Sequence, residues 1–103
     1  MPRARILKSA IADLDEIWLY IARDNVDAAE RLIARIEGTA EKLARFPGLG
    51  KRRDELQQGV RSFGVGKYII FYRRIRGGIE VIHVVHGARG LGGFFPEETE
   101  ETP

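Results

Sequence analysis

The sequence predicts an α+β domain in which an N-terminal strand and a helical hairpin pack on a small, mainly antiparallel sheet. Three observations predict it: two amphipathic helical stripes come early, three strand-like runs follow, and short glycine links join those runs. At 103 residues the chain has material for one domain and one hydrophobic core.

Residues Arg3 to Lys8 alternate, with Ala4, Ile6 and Lys8 on one face and Arg3, Arg5 and Leu7 on the other, as a short strand requires. Ser9 is placed to cap the helix that follows. Asp13, Asp15 and Glu16 fall early in it, where the helix dipole favours acids. Leu14, Ile17, Trp18 and Ile21 recur at helical spacing and form one apolar stripe, and the helix is expected to end near Asp24–Asn25. Asp27 is expected to cap a second helix whose stripe runs Ala29, Leu32, Ile33, Ile36, Ala40 and Leu43. Phe46-Pro47-Gly48 ends it, because proline disfavours helix in the residue before it. So short a link forces the two helices into an antiparallel hairpin.

Leu49 to Gly59 reads as a loop holding the basic cluster Lys51-Arg52-Arg53 and a short Asp54-Glu55-Leu56 piece. Val60–Phe63, Lys67–Arg74 and Ile79–His86 read as strands, separated by Gly64 and Gly66 and then by Gly77-Gly78. The run Tyr68-Ile69-Ile70-Phe71-Tyr72 lacks polar alternation, which places it at the centre of the sheet, covered on both faces. Glu97 to Pro103 has no apolar residue, so the domain is expected over 1–96 and a disordered acidic tail over 97–103.

The formal net charge of +2 conceals an asymmetry. Residues 1–41 hold 6 Lys/Arg against 8 Asp/Glu, whereas residues 42–96 hold 11 against 3. A basic half suits an acidic partner, either nucleic acid or an acidic protein segment, although charge alone does not choose between a partner and a solvated surface. No cysteine is present, which excludes disulfides and thiolate metal sites. No apolar run approaches the roughly 20 residues that span a bilayer, and nothing marks export, so the expected location is the cytoplasm with no membrane contact.

Most chemistry-bearing patterns fail on spacing. Gly48-Leu49-Gly50-Lys51-Arg52 follows a helix and lacks the hydroxyl residue of a phosphate-binding loop, so its glycines read as turn residues. His83 and His86 are three apart on a strand and point to opposite faces, and no further His or Cys completes a metal site. Ser9 reads as a cap and Ser62 as a strand residue, which leaves no nucleophilic triad. Trp18 lies on the apolar stripe and reads as core. Leu19 and Tyr20 lie off it, where exposed apolar groups can anchor a partner.

The order of the pieces says more than any one of them. The run Ala12-Asp13-Leu14-Asp15-Glu16-Ile17-Trp18-Leu19-Tyr20-Ile21-Ala22, followed by Asp24-Asn25-Val26-Asp27-Ala28-Ala29, resembles the helical hairpin of ParE toxins in the RelE/ParE superfamily. Leu43-Ala44-Arg45-Phe46-Pro47-Gly48-Leu49-Gly50, Arg53-Asp54-Glu55-Leu56 and Gly59-Val60-Arg61-Ser62-Phe63 continue the likeness. It goes on through Tyr68-Ile69-Ile70-Phe71-Tyr72-Arg73 and Ile79-Glu80-Val81-Ile82, and closes with His86-Gly87-Ala88-Arg89. Gly90 departs from the Asp that often follows this arginine, and the acidic tail is peculiar to this chain.

The resemblance implies a toxin of a type II toxin–antitoxin system, with no cofactor, and leaves two mechanisms. RelE-like members cut mRNA on the ribosome, which needs a base for the 2′-hydroxyl, cations for the phosphorane and an acid for the leaving oxygen. Where those enzymes carry an arginine after the central tyrosine, this chain has Ile69 after Tyr68. Arg61 and Phe63 stand where paired lysines are expected, and Phe94 or Phe95 where a tyrosine would serve. Only Arg89 matches. The ribonuclease set is incomplete, so the resemblance favours the ParE branch, whose members inhibit DNA gyrase and carry no recognised catalytic triad. A non-toxic interaction module is the third reading. In the favoured one, Arg89, Phe94 and Phe95 form the target-contact surface. A ParD-like antitoxin covers Leu14, Trp18, Leu19, Leu32 and Ile36 in a hetero-oligomer, steered by Lys51, Arg52 and Arg53.

Overall fold

The structure is a computed structural model that describes residues 1–88; the sites read at Arg89, Phe94 and Phe95 and the tail at 97–103 lie outside the described residues. Strand β1 (Arg3–Ile6) leads into helix α1 (Lys8–Ala22) and antiparallel helix α2 (Val26–Arg45). A 3-10 turn (Pro47–Leu49) and strand β2 (Lys51–Arg52) follow, then β3 (Val60–Val65), β4 (Tyr68–Ile75) and β5 (Gly78–His86). The sheet order is β1-β5-β4-β3-β2, antiparallel except where β1 runs parallel to β5. This is the α+β architecture the stripes and glycine links predict, with Tyr68–Tyr72 on the central strand.

The hairpin covers one face of the sheet. Ala10, Leu14, Ile36, Ala40 and Leu43 of the helices meet Val65, Ile70, Tyr72, Ile79, Val81 and Val84 of the sheet in the main core. Alanines at 29, 40 and 44 are fully or nearly fully buried, and their small side chains let α2 lie close to its neighbours. On the opposite face Val60, Phe71 and Val85 are buried with Leu56, Ile69 and Ile82 packed against them, so the 53–59 loop lies over a second, smaller core. Each large apolar side chain fully buried in this way contributes about 1.5–3 kcal/mol.

The caps differ from the sequence reading. Ser9 does not cap α1; Leu7 is the N-cap and offers no side-chain oxygen. The Ser9 hydroxyl instead donates to the Ile82 carbonyl at 2.6 Å, because α1 starts directly beside the edge of β5. No acid lies in the first turn of α1. Asn25, not Asp27, caps α2, accepting the Ala28 N–H at 2.9 Å, while Asp27 sits in the first turn. The helices are linked so tightly that the cap falls two residues early. Strand β2 lies within the segment read as loop: Lys51 and Arg52 pair with Ser62 and Arg61.

Two glycines have a steric requirement. Gly78 combines a φ of 151° with contact against the backbone of Arg3, which any Cβ would obstruct where β1 joins the sheet. Gly50 lies against the Tyr72 ring and hydroxyl. There the buried phenol donates to the Pro47 carbonyl at 2.7 Å and accepts from the Gly50 N–H at 2.8 Å. One side chain thus ties the turn after α2 to the central strand.

Candidate functional site

Strand β1 pairs with β5 only as far as Val81, opposite Ile6. Beyond that point the edge of β5 would be bare, and α1 supplies polar side chains in place of a strand. Ser9 takes the Ile82 carbonyl, and Asp13, one helical turn further on, accepts the Val84 N–H at 2.9 Å. The same Asp13 oxygen lies 2.8 Å from His83 Nδ1, which places the ring proton on that nitrogen. A shift of register at Phe71/Tyr72 lets β5 bulge there, with Tyr72 opposite Val81 and Phe71 opposite His83.

Past Asp13, α1 and β5 diverge and leave a groove of about 800 Å³. Its walls are apolar in the middle, from Ile17, Tyr20 and Ile21 on the helix to Tyr68, Val84 and Val85 on the sheet. Asp13 and Glu16 of the helix also line it, as do Arg23 and Lys67. Its sheet wall is held by Tyr68 and His86, packed edge to face with centroids 5.2 Å apart, while His86 Nδ1 accepts the Ala88 N–H at 3.1 Å. Each histidine therefore has its own partner. No group of three or more metal-capable side chains exists among the described residues.

The structure sorts the residues read as antitoxin contacts into three kinds. Leu14 and Ile36 are core, 8% and 2% exposed, and so present little surface to a partner. Leu32 is half-buried and packs against the same core. Trp18, read as core, is half-buried with its indole N–H donating to Glu30 at 2.9 Å, so it clasps α1 to α2. Leu19 is exposed at 60%, beside Tyr20 at 70%, and both line the groove.

The basic cluster also divides. Arg52 pairs with Asp54 at 2.6 Å, and Arg53 with Glu55 at 2.7 Å. The Gly59 N–H, then Arg52, hold the Asp54 carboxyl below its ordinary value; the Arg53 hydrogen bond does the same for Glu55. Arg53 further reaches Ser62 and stacks over Phe71, 5.8 Å from the ring centroid, so it anchors the 53–59 loop. The groove itself was missed by sequence reasoning. Exposed Leu19 and Tyr20 were its one legible sign, because the end of β1 relative to β5 is a property of register.

Residues 4–91 match the family model described as the ParE toxin of the type II toxin–antitoxin system parDE. Toxin ParE1 of Caulobacter vibrioides is 35% identical over 83 residues, covering 80% of this chain and 85% of that protein. Toxin ParE3 of the same organism is 28% identical over 88 residues, covering 84% and 88%. A putative toxin, Y4kP, of Sinorhizobium fredii is 37% identical over 86 residues, covering 82% and 86%. In structure, a chain of the chromosomal ParDE system from P. aeruginosa superposes with a TM-score of 0.69 at 20% identity, covering 84% of this chain and 96% of that one.

Proposed function

Because the chain belongs to the family of ParE toxins of type II toxin–antitoxin systems, we propose that it arrests growth by inhibiting DNA gyrase and is silenced by a ParD-like antitoxin. The observation that favours gyrase over mRNA is what occupies the RNA-cleaving positions. Ile69, where the ribonuclease branch carries arginine, packs against the Val60, Phe71 and Val85 cluster on the sheet face opposite the helices. Phe63 packs into the helix-side core, and Arg61 donates to the Gly50 carbonyl at 2.8 Å. None of these groups transfers a proton at neutral pH.

The groove between α1 and β5 is the seat assigned to the antitoxin. A groove between a helix and the end of a sheet, apolar with charges at its margin, suits a segment that adds as a strand or lies as an amphipathic helix. Leu19 and Tyr20 supply the exposed anchors, and the Arg23 and Lys67 cations favour an acidic residue on the incoming chain. Induced expression tests the reading: growth should stop, and co-expression of the antitoxin encoded beside it should restore growth. Continued growth at verified expression would contradict the toxin reading, and codon-specific mRNA cleavage would replace gyrase with the ribosome.

A further inference from the structure

The fold gathers arginines that are far apart in the sequence onto one end of the sheet. Arg5 on β1 is registered with Glu80 on β5, and Glu80 with Arg73 on β4, so the three side chains form one row across three strands. Directly paired residues share a face, and Arg3 lies two residues from Arg5 on that same face. Arg76 stands at the β4–β5 turn that closes this end. All four arginines are exposed. Arg3 and Arg5 come from the acid-rich part of the chain, so composition placed them away from the basic half they join.

The one acid in the row does not neutralise them all. Glu80 is nearly buried, at 11% side-chain exposure, and is held by Arg73, whose Nε and Nη2 both reach its Oε1 at 2.9 and 2.8 Å. That contact orients Arg73 while its guanidinium stays 45% exposed. No ion pair engages Arg3, Arg5 or Arg76 among the described residues. The cations stand roughly 7 Å apart along β1 and roughly 10 Å apart from β1 to β4, from the strand rise and spacing.

We propose that this end of the sheet, Arg3, Arg5, Arg73 and Arg76, binds the phosphate backbone of duplex nucleic acid. Phosphate contacts need cations at fixed positions and little else, which is what strands held in register supply. An acidic protein segment would need apolar anchors as well. Among the described residues, apart from Met1, the large exposed apolar side chains lie on the helices, on the 3-10 turn and at Phe46 between them. The patch adjoins the start of β5, whereas the antitoxin groove adjoins its end, so both surfaces can be occupied together. The contact does not depend on gyrase being the target.

Fluorescence anisotropy of labelled DNA and RNA duplexes of equal length, titrated with the purified full chain at several salt concentrations, tests the proposal and distinguishes the two sources of the same backbone chemistry. The expected result is saturable binding to at least one duplex. Its log affinity should fall against log salt with a slope of about −0.9 per phosphate neutralised, hence about −3 to −4. Arg3→Ala, Arg5→Ala and Arg76→Ala combined should flatten that slope by roughly 3 and weaken binding at least about tenfold at low salt. The same three positions as lysine should restore it. Arg76→Ala alone, in an exposed turn, guards against misfolding of the triple variant and should flatten the slope by about 1. No binding to either duplex, or an unchanged slope in the alanine variants, would overturn the proposal. Competition by polyglutamate as effective as that by unlabelled duplex would reassign the patch to acidic protein.

Discussion

The carboxylate of Asp13 on α1 accepts the backbone N–H of Val84 on β5, 71 residues away, at 2.9 Å. A helical side chain thereby takes the place of a strand where β1 ends, and the groove begins where that substitution stops.

Removing the Asp13 carboxylate should therefore loosen the groove wall as well as the fold. Asp13→Ala takes the acceptor from the Val84 N–H and removes the contact to His83, and should cost about 1–3 kcal/mol in urea unfolding. Asp13→Asn, which keeps an acceptor oxygen, should cost less. Equal stability of the alanine variant and the wild type would show that this edge needs no side-chain partner.

Tyr72 gives a pH dependence of defined sign. Burial pushes its phenol above the ordinary value. The folded chain then keeps a proton that the unfolded chain has released. Its contribution is fully present below about pH 10 and is lost as pH climbs through the raised value. Melting temperature should fall above about pH 10, and Tyr72→Phe should remove this component of the fall. The same variant should lose about 1–3 kcal/mol at neutral pH, because the Gly50 N–H is left unpaired. A variant with wild-type stability at both pH values would contradict this role.

Leu19 and Tyr20 should separate binding from folding. Both are exposed, so Leu19→Glu and Tyr20→Arg should shift the melting temperature little. Antitoxin affinity, read by calorimetry, should drop by more than about 2 kcal/mol if they are anchors. Unchanged affinity would move the antitoxin off this groove.

The basic cluster should split in the same kind of experiment. Lys51→Glu and Arg52→Glu should slow antitoxin association in low salt with little effect on stability. Arg53→Ala should instead lower stability, because it releases Glu55, Ser62 and the face of Phe71. If all three variants behaved alike, Arg53 would not be the anchor of its loop.

The elements were legible because helix and strand periods are local. The stripe from Ala29 to Leu43 and the unbroken run Tyr68–Tyr72 placed α2 and the central strand correctly. What was not legible depends on contacts across the chain. Ser9 and Asp13 have ordinary helix-start chemistry in the sequence, and only the register of β1 against β5 turns them toward Ile82 and Val84. Helical spacing did separate Leu14, on the buried stripe, from exposed Leu19 and Tyr20, but the groove beside them follows from where β1 ends against β5. Arg53 looks like its neighbours Lys51 and Arg52 until β3 and β4 bring Ser62 and Phe71 beneath it.

The most direct measurement incubates the purified chain with DNA gyrase, supercoiled plasmid and ATP, and scores linear DNA after denaturation of the enzyme. The account predicts cleaved plasmid that depends on both gyrase and this chain and disappears when the cognate antitoxin is added first. Intact plasmid at concentrations that arrest growth, together with mRNA cut on ribosomes, would contradict it.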